Sequence, residues 1–195
     1  MPGLDPGDGT ITRPAILRPA TPGDCDALGA VHARSWQETY RGLLPDTFID
    51  GLTAASRSAL WRRVIDGAPV GETRVIVAEC DGGVIGFGAI TPQRDAALTA
   101  QGYATEITAL YLLRAHRRKG IGRALVAALA GLVAAQGAGG LALWVLDGNT
   151  QPADFYARLG GQIVADKTDT RDAVVLKETA YGWADAAALT HGETR

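Results

Sequence analysis

Arg114-Ala115-His116-Arg117-Arg118-Lys119-Gly120-Ile121-Gly122-Arg123 stands between an apolar run and an Ala-rich stretch of helical character, and its reading decides the fold. It carries five side chains of fixed positive charge, and from Ile107 through Leu146 there is no Asp or Glu. A polyanion suits such a patch. A strand that ends in a glycine-containing turn and opens a helix presents unpaired backbone N–H groups and the positive end of the helix dipole, where phosphate oxygens fit. Gly120 and Gly122 suit a close approach of ligand oxygens to the main chain, and Arg117, Arg118 and Arg123 can add charge-assisted hydrogen bonds. The plain alternative is a solvated basic helix start. Two other phosphate patterns are set aside, because the third glycine of G-x-G-x-x-G would fall at Leu125 and no G-x-x-x-x-G-K-[ST] occurs.

Working outward, residues 103–112 read as a strand leading into the basic turn, 120–136 as the helix after it, and 141–146 as a buried strand. The uncharged run 124–146 is Ala-rich and broken by Gly137, Gly139 and Gly140, so it reads as helix, turn and strand rather than as a membrane span. Upstream, 15–18 is a short strand, and Thr21-Pro22-Gly23-Asp24 is a capping box that opens a helix to about Tyr40. Residues 41–50 form a connecting loop, and 53–66 form a second helix with Leu60, Trp61, Val64 and Ile65 on one stripe. Runs 73–80 and 84–91 flank Asp81-Gly82-Gly83, a hairpin turn signal. A polar loop covers 92–102, a short helix 152–159 is stopped by Gly160-Gly161, and 163–166 with 173–178 complete the sheet. The class is α+β with helices layered on a mixed, mostly antiparallel sheet.

A chain of 195 residues with 47% hydrophobic and 21% charged residues fits one folded domain. We expect a disordered leader at 1–13, one domain over 14–183 and a tail at 184–195. The leader has no apolar segment of the secretory kind. Cys25 and Cys80 lack any metal-ligand spacing, so no metal and no disulfide framework is expected, and a reducing cytoplasm suits them. The net charge of −2 and the lack of interleaved aromatics speak against a nucleic-acid binder. The Ala, Gly and Arg content suits a GC-rich bacterial genome.

Arg117-x-x-Gly120-x-Gly122 resembles the pyrophosphate signature of the GCN5-related N-acetyltransferases. Val145, Asn149, Ala153, Phe155, Tyr156 and Gly160 resemble that family's second motif, and 35–45 is similar to a segment of many bacterial members. The resemblance covers about residues 16–183. It implies the layered fold of that family and an enzyme that transfers acetyl from acetyl-CoA to a primary amine of a small molecule, peptide or protein. A catalytically silent acyl-CoA-binding module is the alternative.

The resemblance also implies roles. Leu110, Tyr111 and Leu112 would offer backbone to the pantetheine arm, their side-chain identity mattering little. Arg117, Arg118, Lys119, Gly120, Ile121, Gly122 and Arg123 would hold the pyrophosphate. Asn149 and Phe155 would contact the arm, and Tyr156 would act as general acid, a phenol being protonated at neutral pH. Glu106 is the general-base candidate, with a water chain as the alternative. Trp36 and Tyr40 are acceptor-pocket candidates, whereas Trp61 and His32 read as packing residues. The oligomeric state is left open, with a homodimer as the prior that the resemblance offers.

Overall fold

The computed structural model describes residues 14–67, 73–137, 139–171 and 174–190; the expected leader lies outside the described residues. Seven strands form one sheet: β1 (Ile16–Pro19), β2 (Arg74–Cys80), β3 (Gly83–Pro92), β4 (Tyr103–Leu112), β5 (Gly140–Leu146), β6 (Gln162–Arg171) and β7 (Val174–Trp183). Their order is β1-β2-β3-β4-β5-β7-β6, and every neighbouring pair is antiparallel except β4 with β5. The helices are α1 (Cys25–Tyr40), α2 (Asp46–Asp50), α3 (Ala54–Gly67), α4 (Ala96–Ala100), α5 (Ile121–Ala134) and α6 (Thr150–Arg158). The sheet is therefore mixed and mostly antiparallel, flanked by helices, as the sequence led us to expect.

On one face, α5 buries Leu125, Val126, Leu129, Ala130 and Val133, a stripe at helical spacing, against Ile76, Ala78, Ile85, Ile90 and Ile107. A Cβ at Gly88 would sit 2.6 Å from Leu129 Cδ1, so the glycine lets α5 lie close to β3. Each fully buried leucine there contributes on the order of 1.5–3 kcal/mol of transfer free energy. On the opposite face, α1 and α3 pack Cys25, Leu28, Val31 and Trp61 on Val75, Val77, Phe87 and Ala89.

The chain enters α1 through a 3₁₀ turn, Pro22–Asp24, where the Asp24 carboxylate accepts from the Thr21 N–H at 2.7 Å and from Thr21 Oγ1 at 2.8 Å. Arg18 grips the same carboxylate with both terminal nitrogens at 2.8 Å. That guanidinium, against the cost of burial and with help from Thr21, holds Asp24 well below the usual carboxylate range.

Four elements differ from the sequence reading. The stretch 41–50 contains α2, whose Ile49 is fully buried beside Leu44 and Leu176, and the stretch 92–102 contains α4, capped by Asp95 and anchored by Leu98. Strands β6 and β7 are longer than expected: the polar run Lys167–Arg171 continues the ladder, with Lys167 opposite Glu178. The first residue of the strand expected at 173–178 lies outside the described residues. Beyond Trp183, a 3₁₀ turn at Ala186–Leu189 buries Ala186 and Leu189 in the cluster around α5.

His32 shows how polar groups are handled in the layer under α1. It is 7% exposed, its Nδ1 accepts from Trp61 Nε1 at 3.2 Å, and its ring stacks on Tyr111 with centroids 4.6 Å apart. Burial, aided by the charge of Arg57, pushes its pKa down to about 3 from an ordinary 6.5. Between those values the unfolded chain binds a proton that the folded chain refuses, so stability falls as pH drops through that window. The folded state should lose about 2 kcal/mol to this residue between pH 7.5 and pH 5.0. Urea unfolding at both pH values should show that loss in the wild type and largely abolish it in His32→Gln.

Candidate active site

Strands β4 and β5 pair only at their beginnings, Tyr103 with Gly140, Thr105 with Leu141 and Glu106 with Ala142. Beyond that point residues 107–112 of β4 and 143–145 of β5 line two sides of one cavity of about 420 Å³. A bulge at β4 residue 108 marks the place, since Ala89 faces Ala109 while Ile90 faces Ile107. Bulges bend a strand and sharpen its twist. Past the fork, β4 keeps its hydrogen bonds to β3 but turns an unpaired edge of N–H and C=O groups toward the cavity.

The basic turn closes the end of the fork. Arg118 and Gly120 both have positive φ, 63° and 80°, and Gly120 is the N-cap of α5. A Cβ on Gly120 would meet nothing within 4 Å, so the glycine is required by its left-handed backbone, and the space before it is open. Gly122 rests on the Phe155 ring, to which a Cβ would come within 3.5 Å. Successive N–H groups in such a turn, at the start of a 14-residue helix, form an anion-binding concavity.

The arginines divide into two kinds. Arg118 and Arg123 are exposed and line the cavity without a hydrogen-bond or ion-pair partner among the described residues, whereas Arg117 is woven into the protein. Its Nε donates to the Leu112 carbonyl at 2.9 Å, and its terminal nitrogens reach Thr39 Oγ1 at 3.0 Å and Gln151 Oε1 at 3.3 Å. The patch that carries no acid in its own stretch of sequence meets one from α1. Glu38 accepts from the Arg114 N–H at 2.7 Å, its carbonyl accepts from the Arg114 guanidinium, and its carboxylate lies 3.9 Å from Arg117. Burial opposes the charge on Glu38, yet these bonds together with Arg34 hold its pKa below the usual value.

Of the other expected residues, Leu110, Tyr111, Leu112, Asn149, Phe155, Tyr156 and Tyr40 line the cavity, whereas Glu106, Trp36, Lys119 and Ile121 do not. Ile121 packs into the core, and Lys119 is exposed. Trp36 lies behind the cavity and donates from Nε1 to the Tyr111 hydroxyl at 2.9 Å. Tyr111 thus has a side-chain task the sequence reading denied it: its ring stacks on His32 and meets Phe87 edge-on at 5.4 Å.

Tyr156, 7% exposed on α6, is held between Phe155, Tyr181 and Trp183. Burial, then the neighbouring phenols of Tyr40 and Tyr111, push its pKa above the usual phenol value, so it is protonated throughout the neutral range. Tyr40 and Tyr111 are raised as well, chiefly by burial. Glu106, only 3% exposed, is gripped by Arg94, whose Nε and second nitrogen lie 3.0 Å and 2.5 Å from its two oxygens. Sequence spacing could not show Glu38, Thr39, Gln151 or Arg94 at the site, since each arrives from another element. Among the described residues no group of His, Cys, Asp and Glu could hold a metal ion, and no helix is long and apolar enough to cross a membrane.

This geometry can be set beside known proteins. The Bacillus subtilis (strain 168) protein described as "Uncharacterized N-acetyltransferase YuaI" is 31% identical over 175 residues, covering 89% of this chain and 95% of the relative. Among solved structures, the paia N-acetyltransferase of Thermoplasma acidophilum in complex with coenzyme A superposes with a TM-score of 0.64 at 20% identity, covering 84% of this chain and 97% of that one. Salmonella typhimurium yncA, solved with acetyl-CoA, gives 0.63 at 18% identity over 93% and 96% of the two chains. Residues 34–161, which span the fork, the basic turn and α6, match the model described as "Acetyltransferase (GNAT) family", and to that family the chain belongs.

Proposed function

We propose that the chain takes acetyl-CoA as donor and moves its acetyl group to a primary amine of a small molecule, peptide or protein by direct attack on the thioester. The observation that carries this is the fork itself. The β4 edge beyond Glu106, which β5 leaves unpaired, suits the amides of a pantetheine arm, and the turn at its end offers N–H groups and the cations Arg118 and Arg123 to a pyrophosphate. Asn149 and Phe155 flank the same path, and the closeness of yncA and the paia enzyme, each solved with its CoA ligand, supports the reading.

In the reaction a neutral amine nitrogen bonds to the thioester carbon, the C–S bond breaks, and the sulfur leaves with a proton. Tyr156 is the group in the cavity suited to give that proton, being buried and held in its phenol form. The Arg94 fork holds Glu106 as one half of an ion pair, so Glu106 serves as base only if that grip loosens, and otherwise a water chain removes the amine proton. The silent-module alternative predicts cofactor binding with no thiol release from any amine. The buried thiols Cys25 and Cys80 support a cytoplasmic setting, and light scattering after size exclusion tests the homodimer.

Titration calorimetry with acetyl-CoA should show binding in about the micromolar range, and Gly120→Glu should weaken it at least about 100-fold through backbone strain and an added negative charge. Folded protein that ignores acetyl-CoA and CoA would falsify the reading. In a thiol-release assay, Tyr156→Phe should lower kcat by about 100-fold with acetyl-CoA affinity within about twofold of wild type. Glu106→Gln with an unchanged kcat at every pH would assign the amine proton to the water chain.

A further inference from the structure

Ser35, on α1, is 1% exposed and lines the cavity, yet its Oγ finds no hydrogen-bond partner among the described residues. A serine inside a helix can return its hydroxyl to the carbonyl four residues back, here that of Val31; Ser35 does not do so. A buried hydroxyl left unpaired costs on the order of 1–3 kcal/mol, and such groups persist where a ligand completes them. The hydroxyl comes from α1, one helical turn before Thr39, which bonds Arg117 of the basic turn, and it shares the cavity lining with Tyr111, whose oxygen already accepts from Trp36 and so has its own proton left to give.

The charge lining the cavity is one-sided. Among the described residues lining the cavity, the charged ones are Arg117, Arg118, Arg123 and Arg158, and none is an Asp or Glu. The nearby carboxylates each hold a cation of the protein: Glu106 has Arg94 at 2.5 Å, Glu178 has Lys167 at 3.5 Å, and Glu38 has Arg34 at 3.0 Å. The phenols of Tyr40, Tyr111 and Tyr156 are all pushed up by burial, and His32 behind them is held neutral. No lining carboxylate is available to draw in an ammonium ion.

Resting on the acetyl-transfer reading above, we propose that Ser35 Oγ receives an N–H of the acceptor amine, and that the subsite admits this amine uncharged, favouring weakly basic amines such as the α-amine of a peptide. An α-amine has a pKa of about 8 against about 10.4 for a lysine side chain, so far more of it is neutral at pH 7.5. A site with its own carboxylate can bind the ammonium form and cancel that advantage; this one has none to spend on it.

The test uses two probes in a thiol-release assay at saturating acetyl-CoA and pH 7.5: L-alaninamide, whose free amine is α, and Nα-acetyl-lysine amide, whose free amine is ε. The expected kcat/KM is at least about tenfold higher for alaninamide. Ser35→Ala should raise the KM for alaninamide about tenfold while the acetyl-CoA Kd measured by calorimetry stays at the wild-type value, which also shows that the variant is folded. Equal or better use of the ε-amine, no turnover of either probe, or an unchanged KM in Ser35→Ala overturns the proposal while leaving acetyl-CoA binding in place. A wild type that does not bind acetyl-CoA removes the underlying reading instead.

Discussion

The parallel pairing of β4 and β5 ends at Glu106 and Ala142, and the site exists because of it. Inside a sheet, two neighbouring strands would ordinarily go on pairing, since unmet backbone groups are costly away from water. Here each strand is fixed from its outer side, β4 by its register to β3 and β5 by its register to β7. The fork is therefore a rigid slit rather than a frayed edge. Its two layers of cover, α5 on one face and α1 with α3 on the other, exclude solvent from the walls without closing the gap. A ligand with amide groups of its own meets the exposed β4 edge as a further strand would.

On the proposed reading, helix α1 joins the two halves of the reaction. Cys25, Leu28 and Val31 fix it to the sheet, His32 ties it to Trp61 and Tyr111, and Trp36 reaches the Tyr111 hydroxyl. The residues that follow face the site: Ser35, Thr39 and Tyr40 line the cavity, and Glu38 anchors the basic turn through the Arg114 main chain. One helix thus positions the basic turn and, on the proposed reading, walls the acceptor side. A shift of α1 along its axis would disturb both, which couples donor and acceptor geometry through packing alone.

What the sequence disclosed followed from local chemistry. Asp81 and Gly82 carry positive φ in the β2–β3 turn, Gly120 does so before α5, and the Leu125/Leu129/Val133 spacing marks the buried stripe. Gly122 lies against the Phe155 ring, and Tyr156 packs on Phe155 within α6. The rest depended on long-range pairing. Trp36 meets Tyr111 across 75 positions and Glu38 meets Arg114 across 76, neither announced by any periodicity. Helices α2 and α4 are five residues each, too short for a repeat to show, and are held by single buried anchors, Ile49 and Leu98. The end of β6 is polar because it extends past the core, so its strand character rests on the ladder to β7 rather than on apolar alternation.

Electrostatics ties the donor end of the cavity to the acceptor end. A chain with a net charge of −2 concentrates arginines along one slit and keeps its carboxylates there engaged: Glu106 with Arg94, Glu178 with Lys167, Glu38 with the turn it holds. That arrangement favours a polyanionic donor, and it raises the cost of bringing an ammonium ion into the same low-dielectric space. Amide formation needs a nitrogen lone pair, so a site that disfavours the ammonium form disfavours the unreactive form. A hydroxyl such as that of Ser35 can orient a neutral amine without stabilising its protonated state, which a carboxylate in that place would do. On the proposed reading, the unpaired serine and the cation-lined slit are two parts of one selection, in which the donor is drawn in by charge and the acceptor is taken without it.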